Sequence, residues 1–225
     1  MHEVMYEEAR KKAYEVTTYP LSIKFLDNCT DLVWITGYSP YKKEGLYTLY
    51  SNKSAGCCSQ TEAKILTNIC RILKPIIVTE IGSYVGWSTV HLAEHSRIVI
   101  AVDNFSEGEV KEVFLENTKP YTNISLVEMD SVEYLKESRY NSDIIFIDGY
   151  HHNSQPLKDT YGALYNLKEK GIIILHDTWE KDVELAGDYL KVMGFEEHIF
   201  DTDNLMAIYC KDKVKLEWLL EILPQ

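Results

Sequence analysis

Five short runs of β-branched and other apolar residues recur along the chain, each ending in polar or acidic residues and separated from the next by an amphipathic stretch. The runs are continuous rather than alternating, so both faces of each strand must be covered, as in a parallel sheet between two layers of helices. The repetition predicts a doubly wound α/β fold. The runs are residues 76–81, 97–103, 124–127, 143–148 and 171–177.

The intervening stretches have helical periodicity, and the last of them begins with Pro156, which suits a first helical turn. A further helix is predicted to begin at Thr61, upstream of the first run. After the fifth run the pattern predicts one more helix and two strands that pair as an antiparallel hairpin. The predicted helices are residues 88–95, 109–117, 132–137, 156–167 and 183–192, and the hairpin strands are residues 195–200 and 205–209.

The length and composition suit one globular domain. The chain has 225 residues, of which 45% are apolar, too few for two full-sized domains. We expect the domain to occupy residues 61–225. The tyrosine-rich extension at residues 1–60 is expected to serve as a lid or an oligomer contact, or to pack without a role in the chemistry.

The charge balance argues against nucleic acid and membrane surfaces as partners. The chain carries 23 basic and 35 acidic residues, a net charge of -12, and lacks the basic stripe that a phosphate backbone requires. No stretch reaches the roughly 18 apolar residues of a membrane span, and the first residues lack the order of a signal peptide. We therefore expect a cytoplasmic protein whose five cysteines, without a Cys-x-x-Cys pair, are reduced thiols.

The first run leads into residues 80–88, Glu-Ile-Gly-Ser-Tyr-Val-Gly-Trp-Ser, which we call the glycine loop. Gly82 permits a tight turn, Gly86 lets the backbone approach a ligand, and Ser88 is predicted to cap the next helix. A dinucleotide fingerprint places glycines first, third and sixth, whereas here they stand first and fifth, so a nicotinamide cofactor is disfavoured. A Walker loop is excluded, because no Gly-Lys-Ser or Gly-Lys-Thr follows.

Polar residues stand where the apolar runs end. Parallel strands present their carboxyl ends at one edge of a sheet, and ligands of open α/β sheets bind there. We therefore expect a single strand-end crevice. Its predicted residues are Glu80, Gly82, Asp103, Asp130, Asp148, His176 and Asp177.

Together with Asp103, the glycine loop resembles the cofactor loop of the class I S-adenosylmethionine-dependent methyltransferases. Residues 114–117, 127–131, 147–151 and 175–177 are similar to the metal-assisted small-molecule O-methyltransferases, in particular to the branch that modifies sugars and macrolide-like natural products. The resemblance covers roughly residues 59–210. It implies a Rossmann-like three-layer sandwich, a mostly parallel seven-stranded sheet with an antiparallel last strand, and a homo-oligomer built partly from N-terminal elements.

The resemblance assigns binding of S-adenosylmethionine to the glycine loop and to the ends of the following runs. Glu80 would organise the loop around the methionine part, and Asp103 would accept hydrogen bonds from the ribose hydroxyls. Asp130 and Ser131 would meet the adenine edge. The predicted cofactor-binding residues are Glu80, Gly82, Ser83, Tyr84, Gly86, Ser88, Asp103, Asn104, Asp130, Ser131 and Asp148.

Carboxylates and imidazoles end two neighbouring runs, at residues 148–152 and 176–177. Such groups can hold a divalent cation, with magnesium expected, that orients a substrate hydroxyl and lowers its pKa. Asp148, His176 and Asp177 are the predicted ligands, and His151 is the predicted general base. Related proteins often have an acidic residue in place of His176, and a histidine there would favour manganese or a transition ion, or leave the metal weak or absent.

These residues predict methyl transfer to a hydroxyl of a small molecule, a sugar or a polyketide-like natural product. A catechol-type acceptor and N-methylation are alternatives within the same chemistry. Two further alternatives are a non-catalytic cofactor-binding protein and an iron oxygenase with one histidine and two carboxylates. The retained chemical residues argue against the first, and the glycine loop argues against the second. Trp179 and the tyrosines of residues 38–50 would line the acceptor pocket or simply pack.

Overall fold

The computed structural model describes residues 42–43, 46–47, 57–106 and 110–223. The first two segments form a small antiparallel pair of strands, β1 (Lys42–Lys43) and β2 (Leu46–Tyr47). Within the described residues, seven further strands form one sheet. They are β3 (Ile77–Ile81), β4 (Ile98–Asp103), β5 (Ile124–Glu128), β6 (Ser142–Ile147), β7 (Leu167–Leu175), β8 (Glu196–Phe200) and β9 (Met206–Cys210).

The sheet has the predicted mostly parallel architecture. Its strand order is β5-β4-β3-β6-β7-β9-β8, with parallel pairing from β5 to β7. The last strand of the chain, β9, is antiparallel to both of its neighbours, which confirms the predicted hairpin and the predicted antiparallel last strand. From β3 the chain adds β4 and β5 on one side and then returns to add β6 on the other side. Open α/β sheets form a ligand crevice at such a switch point.

Helices follow most of the strands, and they form the outer layers of the sandwich. None of the helices in the described part of the chain is long and apolar enough to cross a membrane. The helices are α1 (Gln60–Leu73), α2 (Trp87–Ala93), α3 (Val110–Thr118), α4 (Ser131–Glu137), α5 (Gln155–Asn166), α6 (Lys181–Val192) and α7 (Lys213–Ile222).

The core lies on both faces of the sheet, as the continuous apolar runs predict. Successive residues of β6 show this, because Ile144 and Phe146 pack into one cluster whereas Ile145 and Ile147 pack into the other. The first cluster includes apolar residues of α1, α2 and α7, and the second includes apolar residues of α4, α5 and α6. Every residue of β6 is buried.

Two local expectations differ from the structure, and one helix was not expected. Ser88 does not cap α2, because Gly86 is the N-cap residue, with φ of 84°, and Ser88 lies buried inside the helix. Strand β7 begins at Leu167, four positions before the predicted Gly171. Helix α7 was not predicted, although Asp212, whose side chain accepts a hydrogen bond from Lys215 N at 3.0 Å, marks its start.

His91 is a buried histidine of α2 whose titration should affect stability. Its Nδ1 lies 2.9 Å from Thr67 Oγ1, and its ring packs edge-on against Trp87 with 4.4 Å between ring centroids. Burial, with the nearby Lys64 charge, lowers the pKa of His91 from 6.5 to about 4. Between these pH values the unfolded chain binds a proton that the folded chain excludes. The neutral His91 ring therefore contributes to the free energy of unfolding above pH 6.5, and this contribution is lost as the pH falls toward about 4.

We expect His91→Gln to flatten the pH dependence of stability. Between about pH 7 and about pH 5, the free energy of unfolding of the variant should fall by about 2 kcal/mol less than that of the wild type. Urea unfolding at the two pH values measures this difference. Parallel losses in the two proteins would show that His91 is already protonated in the folded state.

Candidate active site

Backbone hydrogen bonds join the carboxyl ends of β4, β3, β6 and β7 into one crevice. Gly82 N donates to Val102 O at 2.9 Å, Asp148 N donates to Ile81 O at 2.8 Å, and His176 N donates to Ile147 O at 3.1 Å. The residues that follow these strands are therefore held side by side. The structure brings the glycine loop, Asp103, Asp148 and the residues 176–177 together at one edge of the sheet.

The glycine loop lies directly against the residues that follow β6. A Cβ atom on Gly82 would come within 2.2 Å of the Asp148 carbonyl oxygen and within 2.6 Å of Gly149 Cα. Gly82 also has φ of 84°, which disfavours any residue with a side chain. Gly82 is therefore required both by its backbone conformation and by the close approach of a neighbouring segment.

Asp103 organises the glycine loop. Its Oδ2 accepts hydrogen bonds from the backbone N–H groups of Ser83 at 2.9 Å and Tyr84 at 2.8 Å, and its Oδ1 accepts one from Phe105 at 2.7 Å. The resemblance assigned this organising role to Glu80. The carboxylate predicted to meet the ribose hydroxyls thus also holds the loop in place.

Glu80 lies beneath the loop and is fully buried. Its Oε2 accepts a hydrogen bond from the Thr89 hydroxyl. Burial raises the pKa of Glu80 to about 7, although hydrogen bonds from hydroxyl groups such as that of Thr89 act to lower it. Among the described residues, Glu80 Oε1 and Ser83 Oγ are buried polar atoms that lack a hydrogen-bond partner. Two atoms with unused hydrogen-bonding capacity therefore lie in the predicted cofactor loop.

The remaining predicted cofactor residues lie in the turns after β4 and β5. Asn104 Oδ1 accepts a hydrogen bond from Ser106 N at 3.1 Å. Asp130 is the N-cap of α4, and its Oδ1 accepts from the second and third residues of the helix's first turn. The Ser131 hydroxyl donates to the buried Asp159 at 2.7 Å. Asp130 and Ser131 thus have local structural bonds in addition to the predicted adenine contact.

Asp148, His151 and Asp177 form a compact group that we call the acidic cluster. One ligand atom from each lies within 4.8 Å of the others. His151 Nε2 is 3.6 Å from Asp148 Oδ1, and His151 Nδ1 is 3.5 Å from Asp177 Oδ2. These distances suit ion pairs rather than hydrogen bonds, and His151 Nε2 is buried without a hydrogen-bond partner among the described residues. Burial lowers the pKa of His151, but the two aspartates outweigh it and raise the pKa above its ordinary value.

His176 lies behind the acidic cluster, and only 2% of it is exposed. Its Nδ1 is 3.0 Å from both Asp148 Oδ1 and Asp177 Oδ2, and its Nε2 is 3.0 Å from Glu62 Oε2. Burial lowers the pKa of His176, but the surrounding carboxylates raise it well above its ordinary value. Because both ring nitrogens face carboxylates, His176 differs from the predicted metal ligand: it bridges the two aspartates and leaves no nitrogen free for a cation.

Glu62 is the residue of this site that the sequence patterns did not indicate. It is fully buried in the first turn of α1 and lies far along the chain from the strand-end motifs. Burial raises the pKa of Glu62, but hydrogen bonding to His176 and Ser59 holds it well below its usual range. The only sequence signal is the Ser59-x-x-Glu62 capping box, which predicts a helix start and nothing about the crevice.

Trp179 extends the site toward solvent. Its indole Nε1–H donates to Asp177 Oδ1 at 3.1 Å, while 59% of the residue is exposed. Asp177 itself has φ of 53°, an unusual conformation for a residue with a side chain. The next peptide is anchored by Thr178 N, which donates to Leu205 O at 3.0 Å. An exposed aromatic surface therefore borders the acidic cluster.

Gly82→Ala should destabilise the protein more than its left-handed backbone alone accounts for. We expect a loss of about 3 kcal/mol or more, from backbone strain and from the clash with residues 148–149. Gly194→Ala is the matched control, since Gly194 has the same φ of 84° and no atom within 4 Å of the added carbon. That control should lose only about 1 kcal/mol in urea unfolding. Equal losses would show that the close approach carries no energetic penalty.

Known proteins resemble this chain both in sequence, over part of its length, and in fold. Residues 79–178 match the family model described as a methyltransferase domain. No curated protein matches the sequence. Many solved structures are similar in fold, and three of them have 12–16% identity: a proposed O-methyltransferase from Klebsiella pneumoniae, an O-methyltransferase from Bacillus cereus in complex with SAH, and the O-methyltransferase TomG from Streptomyces achromogenes, involved in tomaymycin synthesis, in complex with SAM.

The structural match spans most of each neighbour. For the Klebsiella protein the identity is 15%, the TM-score is 0.63, and the alignment covers 69% of this chain and 82% of that one. The corresponding values are 16%, 0.59, 70% and 84% for the Bacillus protein, and 12%, 0.59, 69% and 81% for TomG. At such identities the likeness shows the fold. Residues 79–178, just under half of the chain, match the methyltransferase-domain model, and the fold is the one predicted from the resemblance to class I methyltransferases.

Proposed function

We propose that this protein transfers a methyl group from S-adenosylmethionine to a hydroxyl group of a small molecule. The observation that carries the proposal is the contact between Gly82 and the Asp148–Gly149 backbone. It places the glycine loop and the acidic cluster on adjoining strand ends, so a cofactor in the first lies beside a proton acceptor in the second. The cofactors present in the Bacillus cereus and Streptomyces achromogenes neighbours support the choice of cofactor.

The residues of the glycine loop suit a polar, nucleoside-containing cofactor. The buried Glu80 Oε1 and Ser83 Oγ have unused hydrogen-bonding capacity among the described residues. Asp103 holds two loop amides on one oxygen. When bound, S-adenosylmethionine supplies a methyl group on a positively charged sulfur. The loop would bind and orient this group.

The acidic cluster has suitable donors for a divalent cation. Carboxylates suit magnesium and manganese, and the cluster contains two of them. Asp148 and Asp177 are the residues we propose to hold the ion. A bound cation supplies Lewis acidity that lowers the pKa of a substrate hydroxyl.

His151 is the proposed general base. Its buried Nε2 has no hydrogen-bond partner among the described residues, and Asp148 and Asp177 lie close enough to stabilise the imidazolium that forms. The acceptor hydroxyl would lose its proton to His151, and its oxygen would attack the methyl carbon as the carbon–sulfur bond breaks toward sulfur. Charge is lost at sulfur in this transfer, so positioning contributes more than charge stabilisation.

For the acceptor we propose a sugar or a polyketide-like natural product, with a catechol-type compound as the second candidate. The exposed indole of Trp179, bonded to Asp177, favours an acceptor with a flat or apolar face beside its reacting hydroxyl. Both classes have such a face. The predicted roles of residues 1–60 in a lid or an oligomer fall almost entirely outside the described residues and stay predictions.

Calorimetric titration tests the cofactor directly. We expect S-adenosylhomocysteine to bind with a dissociation constant on the order of micromolar, an affinity of about 8 kcal/mol, whereas NAD should give no binding heat. The titration is run with and without magnesium to separate the cofactor from the cation. If S-adenosylhomocysteine bound under neither condition, the proposed methyl transfer would be excluded.

Substitution of His151 tests the base. We expect His151→Ala to lower kcat about 100-fold or more while leaving the affinity for S-adenosylhomocysteine unchanged. The measurement is transfer of a labelled methyl group to a panel of sugars and catechols. His152→Ala, at the neighbouring and exposed position, is the matched control and should retain wild-type turnover. Full turnover of His151→Ala at saturating acceptor would exclude this role.

A further inference from the structure

The buried carboxylate of Glu62 contacts His176, behind the acidic cluster, and it lies outside the matched methyltransferase segment, which begins at residue 79. We propose that Glu62 is a positioning residue: it fixes the orientation of the His176 ring against Asp148 and Asp177, and with it the arrangement of the two aspartates that a divalent cation would meet. The inference deepens the proposed function and rests on its cation-assisted form.

The contacts form a continuous path across the ring of His176. Glu62 Oε2 lies 3.0 Å from Nε2, on the side away from the acidic cluster. On the other side, Nδ1 lies 3.0 Å from one oxygen of each aspartate. Rotation of the ring would break all three contacts, so fixing Nε2 also fixes the direction of Nδ1. Glu62 therefore determines the ring orientation that the two aspartates encounter.

Glu62 is itself held by hydrogen bonds from two parts of the chain, one next to it in sequence and one about 140 residues further on. Its carboxylate accepts hydrogen bonds from Ser59 N at 2.6 Å and from the Thr202 hydroxyl at 2.8 Å. Asn204 contributes its backbone N–H at 3.1 Å and its side-chain Nδ2 at 3.2 Å. The capping box accounts for the bond to Ser59, but it does not account for full burial or for bonds to His176 and to the turn between β8 and β9. The carboxylate is a fixed reference point for the ring.

Manganese binding tests the proposal without an acceptor. Titration of Mn²⁺ is followed by the electron paramagnetic resonance signal of the free ion, in the wild type and in Glu62→Gln. We expect the substitution to weaken Mn²⁺ binding by about tenfold or more, the usual effect of removing a group that orients metal ligands. The control Thr202→Val removes another partner of Glu62 and spares the contact with His176, so its affinity should stay within about twofold of wild type.

A double-mutant cycle shows whether Glu62 acts through His176. His176→Gln removes the ring through which Glu62 would act but leaves Asp148, His151 and Asp177 in place, so this variant should retain measurable Mn²⁺ binding. In its background, Glu62→Gln should change the affinity by no more than about twofold. A purely structural role would weaken binding equally in both backgrounds and would overturn the proposal. So would wild-type affinity in Glu62→Gln, or the absence of Mn²⁺ binding from the wild type or from His176→Gln.

Binding of S-adenosylhomocysteine to the same protein preparations separates this proposal from the proposed function. We expect Glu62→Gln to keep wild-type affinity for S-adenosylhomocysteine while losing Mn²⁺ affinity, which also shows that the variant is folded. If the wild type fails to bind S-adenosylhomocysteine, methyl transfer is excluded, and the comparison of Mn²⁺ affinities still decides the role of Glu62.

Discussion

The close approach of Gly82 to the Asp148–Gly149 backbone is the constraint on which the rest of the site depends. It exists because β3 and β6 are adjacent parallel strands that end at the same level, and the first turn after β3 passes over the end of β6. A side chain at position 82 would separate the two segments. The same contact therefore shapes the glycine loop and holds the acidic cluster beside it, so the cofactor cradle and the proton-accepting groups have one common wall.

Buried charge is the second feature that organises the protein. Glu62, Glu80 and His176 are almost completely removed from solvent, and a buried ion is costly unless it is paired and hydrogen-bonded. The arrangement around His176 meets this requirement with a carboxylate on each side of the ring. Glu80 meets it only partly, and burial raises its pKa to about 7. The groups around His176 therefore have their hydrogen-bond partners within the protein, whereas Glu80 can accept a further hydrogen bond, as from a ligand.

Much of the architecture was predictable, because its signals are local and repeated. Continuous apolar runs predicted five parallel strands covered on both faces, and the spacing of the last two strands predicted a hairpin. The errors occurred where the local sequence signal for a helix end was weak or where two residues could supply it. Ser88 resembled a helix cap, but Gly86 can adopt the left-handed conformation that ends the turn, so the helix begins one residue before Ser88. Helix α7 has only the cap of Asp212 and two buried leucines to mark it.

The sequence by itself determined the α/β fold, the glycine loop and the placing of Asp148, His151 and Asp177 at strand ends, because each depends on residues near one another in the chain. Only the tertiary structure decided what His176 contacts. Its partner Glu62 lies in a helix that precedes the first parallel strand, and the groups that hold Glu62 lie beyond the last parallel strand. A capping box and a hairpin turn carry no signal that their side chains will meet in the interior. That meeting follows from the packing of α1 and the β8–β9 turn at the same edge of the sheet.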